Sequence, residues 1–107
     1  MQIIIKATHF DLTSDLQAFI DQKFQSLEKF IQRFDRGSVE LRLEIGKPSE
    51  HHKAGKVFYA EATLDLPGKV LRASELDYDV LLAIEKVRQE LKRQIEKYKG
   101  ARIKNKE

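Results

Sequence analysis

Ala73-Ser-Glu-Leu-Asp-Tyr-Asp-Val-Leu-Leu-Ala-Ile-Glu-Lys-Val-Arg-Gln-Glu-Leu-Lys-Arg-Gln-Ile-Glu-Lys-Tyr-Lys-Gly100 is the stretch on which the fold turns. Val80, Ile84, Val87, Leu91, Ile95 and Tyr98 recur along it at steps of four, three, four, four and three. Those steps put all six on one stripe of an α-helix. An apolar stripe flanked by charge must lie against a partner surface, so the preceding chain is read as the platform beneath this helix. With Leu91 at the centre of the stripe, Arg88, Lys92 and Lys99 fall along one flank. Lys86, Arg93 and Lys97 fall across the outer side.

The platform is legible in order. Ile3-Ile-Ile-Lys-Ala-Thr8 is β-branched and short, a strand. Thr13-Ser14-Asp15 is a helix start: either hydroxyl can cap, and Asp15 suits the positive helix end. Leu16, Ile20, Phe24, Leu27, Ile31 and Phe34 then repeat at helical spacing until Asp35-Arg36-Gly37 stops the helix. Val39, Leu41, Leu43 and Ile45 alternate with Glu40, Arg42 and Glu44, a strand with one dry and one ionic face. A long hairpin loop over residues 46–55 leads to a third strand, Phe58, Ala60, Ala62, Leu64 and Leu66 facing in. Pro67-Gly68 makes a type II turn into Val70-Leu-Arg-Ala73, the fourth strand, and Ser74 or Asp77 caps the final helix. The expected fold is α+β, a β-α-β-β-β-α two-layer sandwich. Its four-stranded sheet carries two helices on one face. Ala60 and Ala62 would let a helix sit close. Residues 1–99 form one domain, and residues 100–107 a short basic tail expected to be poorly ordered.

The totals exclude several functions. With 107 residues and no cysteine, disulfides and thiolate metal sites are absent, and a deep internal cavity is not expected. No apolar run approaches the roughly 20 residues that span a bilayer, and no signal peptide is seen, so a soluble cytoplasmic protein with no membrane partner is expected. No nucleophile–base pair or phosphate-binding glycine loop appears, so no enzymatic activity and no small-molecule substrate are expected. Glu61, an acid in mid-strand, is read as an ion-pair partner of Arg42 or Arg72 rather than a general acid. His51-His52 beside Glu50 can hold a divalent ion weakly, but a zinc site needs three or four fixed ligands, so no metal or other cofactor is expected.

Charge carries the positive signal. Residues 86–107 hold nine Lys/Arg against three acids, whereas residues 1–85 hold eleven against fourteen. A basic end on a mildly acidic body attracts a polyanion. Glu85 can reach Arg88, Glu90 can reach Arg93 and Glu96 can reach Lys99, but such exposed pairs are weak and leave Lys92 and Lys97 in excess. Few aromatic side chains accompany the cations, so structured RNA, recognised by shape and phosphate, fits better than single strands.

A set of segments then resembles a known family. They are Asp11-Leu-Thr-Ser-Asp-Leu16, Lys23-Phe-Gln-Ser-Leu-Glu-Lys29, His51-His-Lys53, Phe58-Tyr-Ala-Glu-Ala-Thr-Leu64, Leu71-Arg-Ala73, Asp77-Tyr-Asp-Val-Leu-Leu-Ala-Ile-Glu85 and Leu91-Lys-Arg-Gln-Ile95. In this order and spacing, over about residues 2–99, the chain resembles the ribosome hibernation promoting factors. That family includes the ribosome-associated inhibitor called protein Y, once described as a σ54 modulation protein. The resemblance implies a fold like the double-stranded-RNA-binding domain. It also implies a non-enzymatic translation inhibitor, monomeric off the ribosome. Such a protein binds 16S ribosomal RNA in the small (30S) subunit and occludes the positions of mRNA and the A- and P-site tRNAs. Carried over by position, it implicates Lys23 and Lys29 on the first helix and Arg93 and Lys97 on the last. Lys86, Arg88 and Lys92 join them from the charge pattern. His52, Lys53, Lys56 and Arg72 form an outer set. The chain resembles the short members, which lack a second dimerising domain. A protein-interaction module acting on σ54-dependent transcription is the alternative.

Overall fold

Ala60 and Ala62 on one strand and Ala73 on the next form a shallow floor, and the last helix lies on it. In the computed structural model, which describes residues 1–32, 39–47 and 57–105, the elements are β1 (Gln2–Thr8), α1 (Ser14–Gln25), α2 (Glu28–Ile31), β2 (Glu40–Gly46), β3 (Phe58–Leu66), β4 (Lys69–Asp77) and α3 (Val80–Asn105). The sheet order is β1-β2-β3-β4. β1 runs parallel to β2 across the α1–α2 connection, and β2, β3 and β4 form an antiparallel meander.

Register sorts the side chains. Leu41 faces Leu64, Leu43 faces Ala62 and Ile45 faces Ala60, so one sheet face is continuous hydrocarbon. Ile84, Val87, Leu91 and Ile95 of α3 are 0% exposed against it, as are Ile20, Phe24, Leu27 and Ile31 from α1 and α2. The stripe read from the sequence is therefore the buried face of α3, with Val80 and Tyr98 packed at its ends. Among the described residues, no helix is long and apolar enough to cross a membrane.

Four local expectations are corrected. The first helix is not continuous: α1 ends at Gln25, and α2 begins at Glu28. The Ser26 hydroxyl donates to the Lys23 carbonyl at 2.5 Å, and Leu27 N–H bonds back only three residues, to Phe24 O at 3.0 Å. A serine competing for a helix carbonyl and a tightened turn break the ladder while keeping Leu27 and Ile31 buried. β4 runs on to Asp77 because Ser74–Asp77 pair with Phe58–Glu61. The cap of α3 is consequently Asp79, whose carboxylate accepts the Leu81 N–H at 2.9 Å, rather than Ser74 or Asp77. α3 passes through Gly100 to Asn105 where a loose tail was expected. One glycine costs a helix only about 1 kcal/mol, and good helix formers flank it. Finally, Arg42 pairs with Asp65 at 2.7 Å and Glu40 at 3.3 Å, while Glu61 makes no ion pair among the described residues.

Other readings hold. Thr13 is the cap of α1, its hydroxyl accepting the Leu16 N–H at 3.1 Å. Gly68 has φ +77, as the type II turn requires. The helix stop at Asp35-Arg36-Gly37 and most of the 46–55 loop lie outside the described residues.

Gly46 ends β2 in a tight corner. A Cβ there would meet the Thr8 carbonyl oxygen at 2.5 Å and the Tyr59 hydroxyl at 2.8 Å. Gly46→Ala is expected to cost roughly 1–3 kcal/mol in chemical denaturation. Adding Tyr59→Phe should not restore it, since the Thr8 carbonyl remains; a variant within about 0.3 kcal/mol of the parent would refute the crowding.

Candidate nucleic-acid interface

α1 and α2 lie against one flank of α3, and some of the candidate cations meet along the seam between them. Their surroundings divide them into three groups.

The first group surrounds Phe30, half-buried on α2. Lys29, Lys92 and Lys99 place their ammonium nitrogens 5.1, 5.2 and 5.9 Å from its ring centroid. Lys92 and Lys99 are two helical turns apart on one flank of α3, and Lys29 comes from α2, so two elements deliver one cluster. None of the three has a carboxylate within ion-pair distance among the described residues. The ring's negative face offsets part of their mutual repulsion, at about 0.5–1 kcal/mol for each exposed contact. Lys99 and the ring were not among the site residues expected from sequence. The seven-residue spacing of Lys92 and Lys99 and the Lys29-Phe30 pair were the available signal.

The second group shares one anion. Glu85 of α3 pairs with Arg88 through Oε1, and Lys23 Nζ of α1 lies 3.3 Å from its Oε2. Oε2 is buried and makes no hydrogen bond, so Lys23 reaches it as an ion pair only. Arg88 first, then Lys23, hold the Glu85 carboxyl below the usual carboxylate range, against the opposing effect of burial. Lys23 also rests 5.5 Å from the Phe19 ring centroid.

The third group lies on the β4 side of α3, marked by Gln94, whose amide donates to the Arg72 carbonyl at 2.8 Å. Lys86 pairs with Asp77 of β4 at 2.7 Å. The carboxyl of Asp77 is lowered by Lys86 first, and Lys86 is raised by Asp77 in return. Arg93 pairs with Glu90, one bond being 3.0 Å, and this pushes Glu90 down to about 2. Lys97 has no carboxylate partner among the described residues, and the Glu96–Lys99 pair that the spacing allows is not formed.

Away from Glu85, the cations of α2 and α3 therefore form two banks. The α2-side bank carries Lys29, Lys92 and Lys99, unpaired with any carboxylate among the described residues. The β4-side bank carries Lys97 and the paired Lys86 and Arg93. Arg72 stands apart from both, on the open sheet face opposite Thr63. His52, Lys53 and Lys56, and the His51-His52 pair considered for metal, lie outside the described residues. On that open face the Tyr59 hydroxyl donates to Glu44 at 2.6 Å and the Thr8 hydroxyl donates to the same oxygen at 3.1 Å. Tyr59 is the leading cause of a lowered Glu44 carboxyl. Among the described residues no three His, Asp or Glu side chains are grouped to hold a metal ion.

Known proteins share this architecture. The solved N-terminal domain of Thermus thermophilus protein Y superposes with a TM-score of 0.75 at 23% identity, covering 92% of this chain and 99% of that one. A ribosomal subunit interface protein from Coxiella burnetii gives 0.71 at 16% identity, covering 94% and 99%. At those identities the likeness is one of fold. In sequence, the chain is 30% identical over 103 residues to a ribosome hibernation promoting factor of Acinetobacter guillouiae, covering 96% of this chain and 91% of that protein. It is 30% identical over 100 residues to the factor of the same name from Escherichia coli, covering 92% and 94%. The family model described as Sigma 54 modulation protein / S30EA ribosomal protein matches residues 3–103. With that match over nearly its whole length and these relatives beside it, the chain belongs to the Sigma 54 modulation protein / S30EA ribosomal protein family, the family of the ribosome hibernation promoting factors.

Proposed function

We propose that this chain is a cytoplasmic, non-enzymatic hibernation factor. It binds the small ribosomal subunit through 16S ribosomal RNA and occupies the positions of mRNA and the A- and P-site tRNAs. The observation that carries the reading is the cluster of Lys29, Lys92 and Lys99 on one ring, with no carboxylate paired to them among the described residues. Such a cluster is costly in the free protein and is relieved when phosphate oxygens replace water and counterions around it. The cluster is built from two elements packed on each other, so it suits a folded backbone shape rather than a flexible strand. Inhibition then follows from occupancy alone, and no bond is made or broken.

The carboxylates set how much each cation contributes. A phosphate reaching Lys23 or Arg88 competes with Glu85, and one reaching Lys86 competes with Asp77. Lys29 and Lys92 face no such competitor among the described residues. Their reversal should therefore weaken binding more than reversal of Lys86.

Lys29→Glu with Lys92→Glu is expected to weaken co-sedimentation with 30S subunits at least about tenfold and to flatten the log–log salt slope by about 2. Inhibition of in-vitro translation should fall in parallel. An unchanged slope would remove this bank from the interface, and absent 30S binding by the parent would end the reading.

Glu85→Gln is expected to do the opposite, strengthening binding and steepening the salt slope, because Lys23 and Arg88 lose their shared anion. Weaker binding in a variant that still folds would mean that Glu85 positions the two cations rather than masking them.

Glu90 supplies a check on the β4-side bank. Its folded value lies below its ordinary value, so the pair with Arg93 stabilises the folded state above the ordinary value and is lost as pH falls through about 2. By NMR titration, Arg93→Gln should bring the Glu90 midpoint back toward the ordinary 4.5. A midpoint that stays near 2 without Arg93 would show another cause.

A further inference from the structure

At the other end of the same seam, where α1 and α3 begin, the surface changes character. Leu16, Phe19, Phe58 and Leu81 floor an open groove of about 520 Å³, with Asp11 and Asp15 on its rim. Among the described residues, no lysine or arginine lines the groove. Two cations among the described residues touch the floor rings without lining the groove: Lys23 lies 5.5 Å from the Phe19 centroid and is paired with Glu85, and Lys47 lies 5.3 Å from the Phe58 centroid. The floor is preformed, since the Phe58 ring is held edge-on against Phe10 at 6.0 Å. Leu81 remains 42% exposed, and Tyr78 and Leu82 beside it in the chain are 75% and 50% exposed. Large apolar side chains left in water this way mark a contact surface.

The chemistry of the occupant follows from the lining. A phosphate backbone would be repelled by Asp11 and Asp15 and would offer the floor no hydrocarbon. An acidic protein fails on the first count. A lysine- and arginine-rich protein segment carrying one aromatic or aliphatic side chain satisfies both the floor and the rim. We propose that the groove docks such a segment, a basic extended stretch of a partner protein. Its apolar side chain sits over Phe19 and Leu81, and its cations lie against Asp11 and Asp15. One seam thus serves two partners of opposite charge, RNA at the α2 end and basic protein at the end where the helices start. The docking goes beyond the RNA reading and does not depend on it.

The test is an NMR titration of the full chain with a short peptide in which lysines and arginines flank one phenylalanine. Saturable shifts are expected at Phe19, Phe58 and Leu81. Asp11→Asn with Asp15→Asn should weaken binding about fivefold, and Leu81→Ser or serine in place of the peptide's phenylalanine should abolish it. A structured RNA hairpin should shift Lys29 and Lys92 and leave the groove residues in place. The proposal is overturned if the basic peptide gives no saturable shift, or if a peptide with acids in place of the cations binds equally well. It also fails if the hairpin shifts the groove, or if the groove resonances move with protein concentration alone, which would assign the surface to a second copy. A hairpin that binds nowhere would remove the RNA reading while leaving the peptide result standing.

Discussion

The structure depends on a close approach. Ala60, Ala62 and Ala73 leave a low floor on β3 and β4, and the aliphatic stripe of α3 fills it. Burial there is complete for Ile84, Val87, Leu91 and Ile95, and each such side chain contributes roughly 1.5–3 kcal/mol relative to exposure. A bulkier floor would lift α3 away from the sheet and open the seam with α1 and α2. Of the seven cations first expected at the interface, five are on α3, Lys23 pairs with its Glu85, and Lys29 shares the Phe30 ring with its Lys92. The hydrophobic packing therefore fixes the geometry of the charges, although no charge takes part in it.

The charges are sorted by their neighbours more than by their number. Four of the seven cations expected at the interface (Lys23, Lys86, Arg88 and Arg93) meet carboxylates, and Glu85 alone serves two of them. Exposed pairs of this kind add little stability. Their greater effect is on the field, which they flatten on the β4 side of α3 and around Glu85. The field survives around Phe30, where an aromatic ring supplies partial compensation without cancelling the charge. At the start of the helices the charged residues that line the groove are the acids Asp11 and Asp15, among the described residues. The seam is electrically polar along its length.

Much of this is legible in the sequence, for physical reasons. Burial has the period of the element, so the stripe of α3 and the alternation of β2 and β3 can be read directly. The break at Ser26–Leu27 cannot, because a tightened turn keeps Phe24, Leu27 and Ile31 on one side and leaves the apolar spacing unchanged. The α3 cap is equally hidden: Ser74, Asp77 and Asp79 are all capping types, and the pairing of β4 with Phe58–Glu61 decides among them. Glu90–Arg93 and Glu85–Arg88 are local and can be foreseen from spacing. Lys86–Asp77 and Lys23–Glu85 join different elements and cannot. For the same reason the sequence puts Lys92 and Lys99 on one flank of α3 but does not bring Lys29 to their side.

An aliphatic stripe that repeats every three or four residues looks nearly the same after one turn, so hydrophobic contact alone would let α3 slide along the sheet. Two directional bonds remove that freedom. Gln94 donates to the Arg72 carbonyl at 2.8 Å, and the Tyr98 hydroxyl donates to the Pro67 carbonyl at 3.0 Å. A one-turn slip of about 5.4 Å would break both and carry Lys92 and Lys99 away from Phe30. Gln94 and Tyr98 thus act as a vernier, setting the axial position of α3 from the β4 side and the β3–β4 turn, across the helix from the lysines whose alignment they preserve.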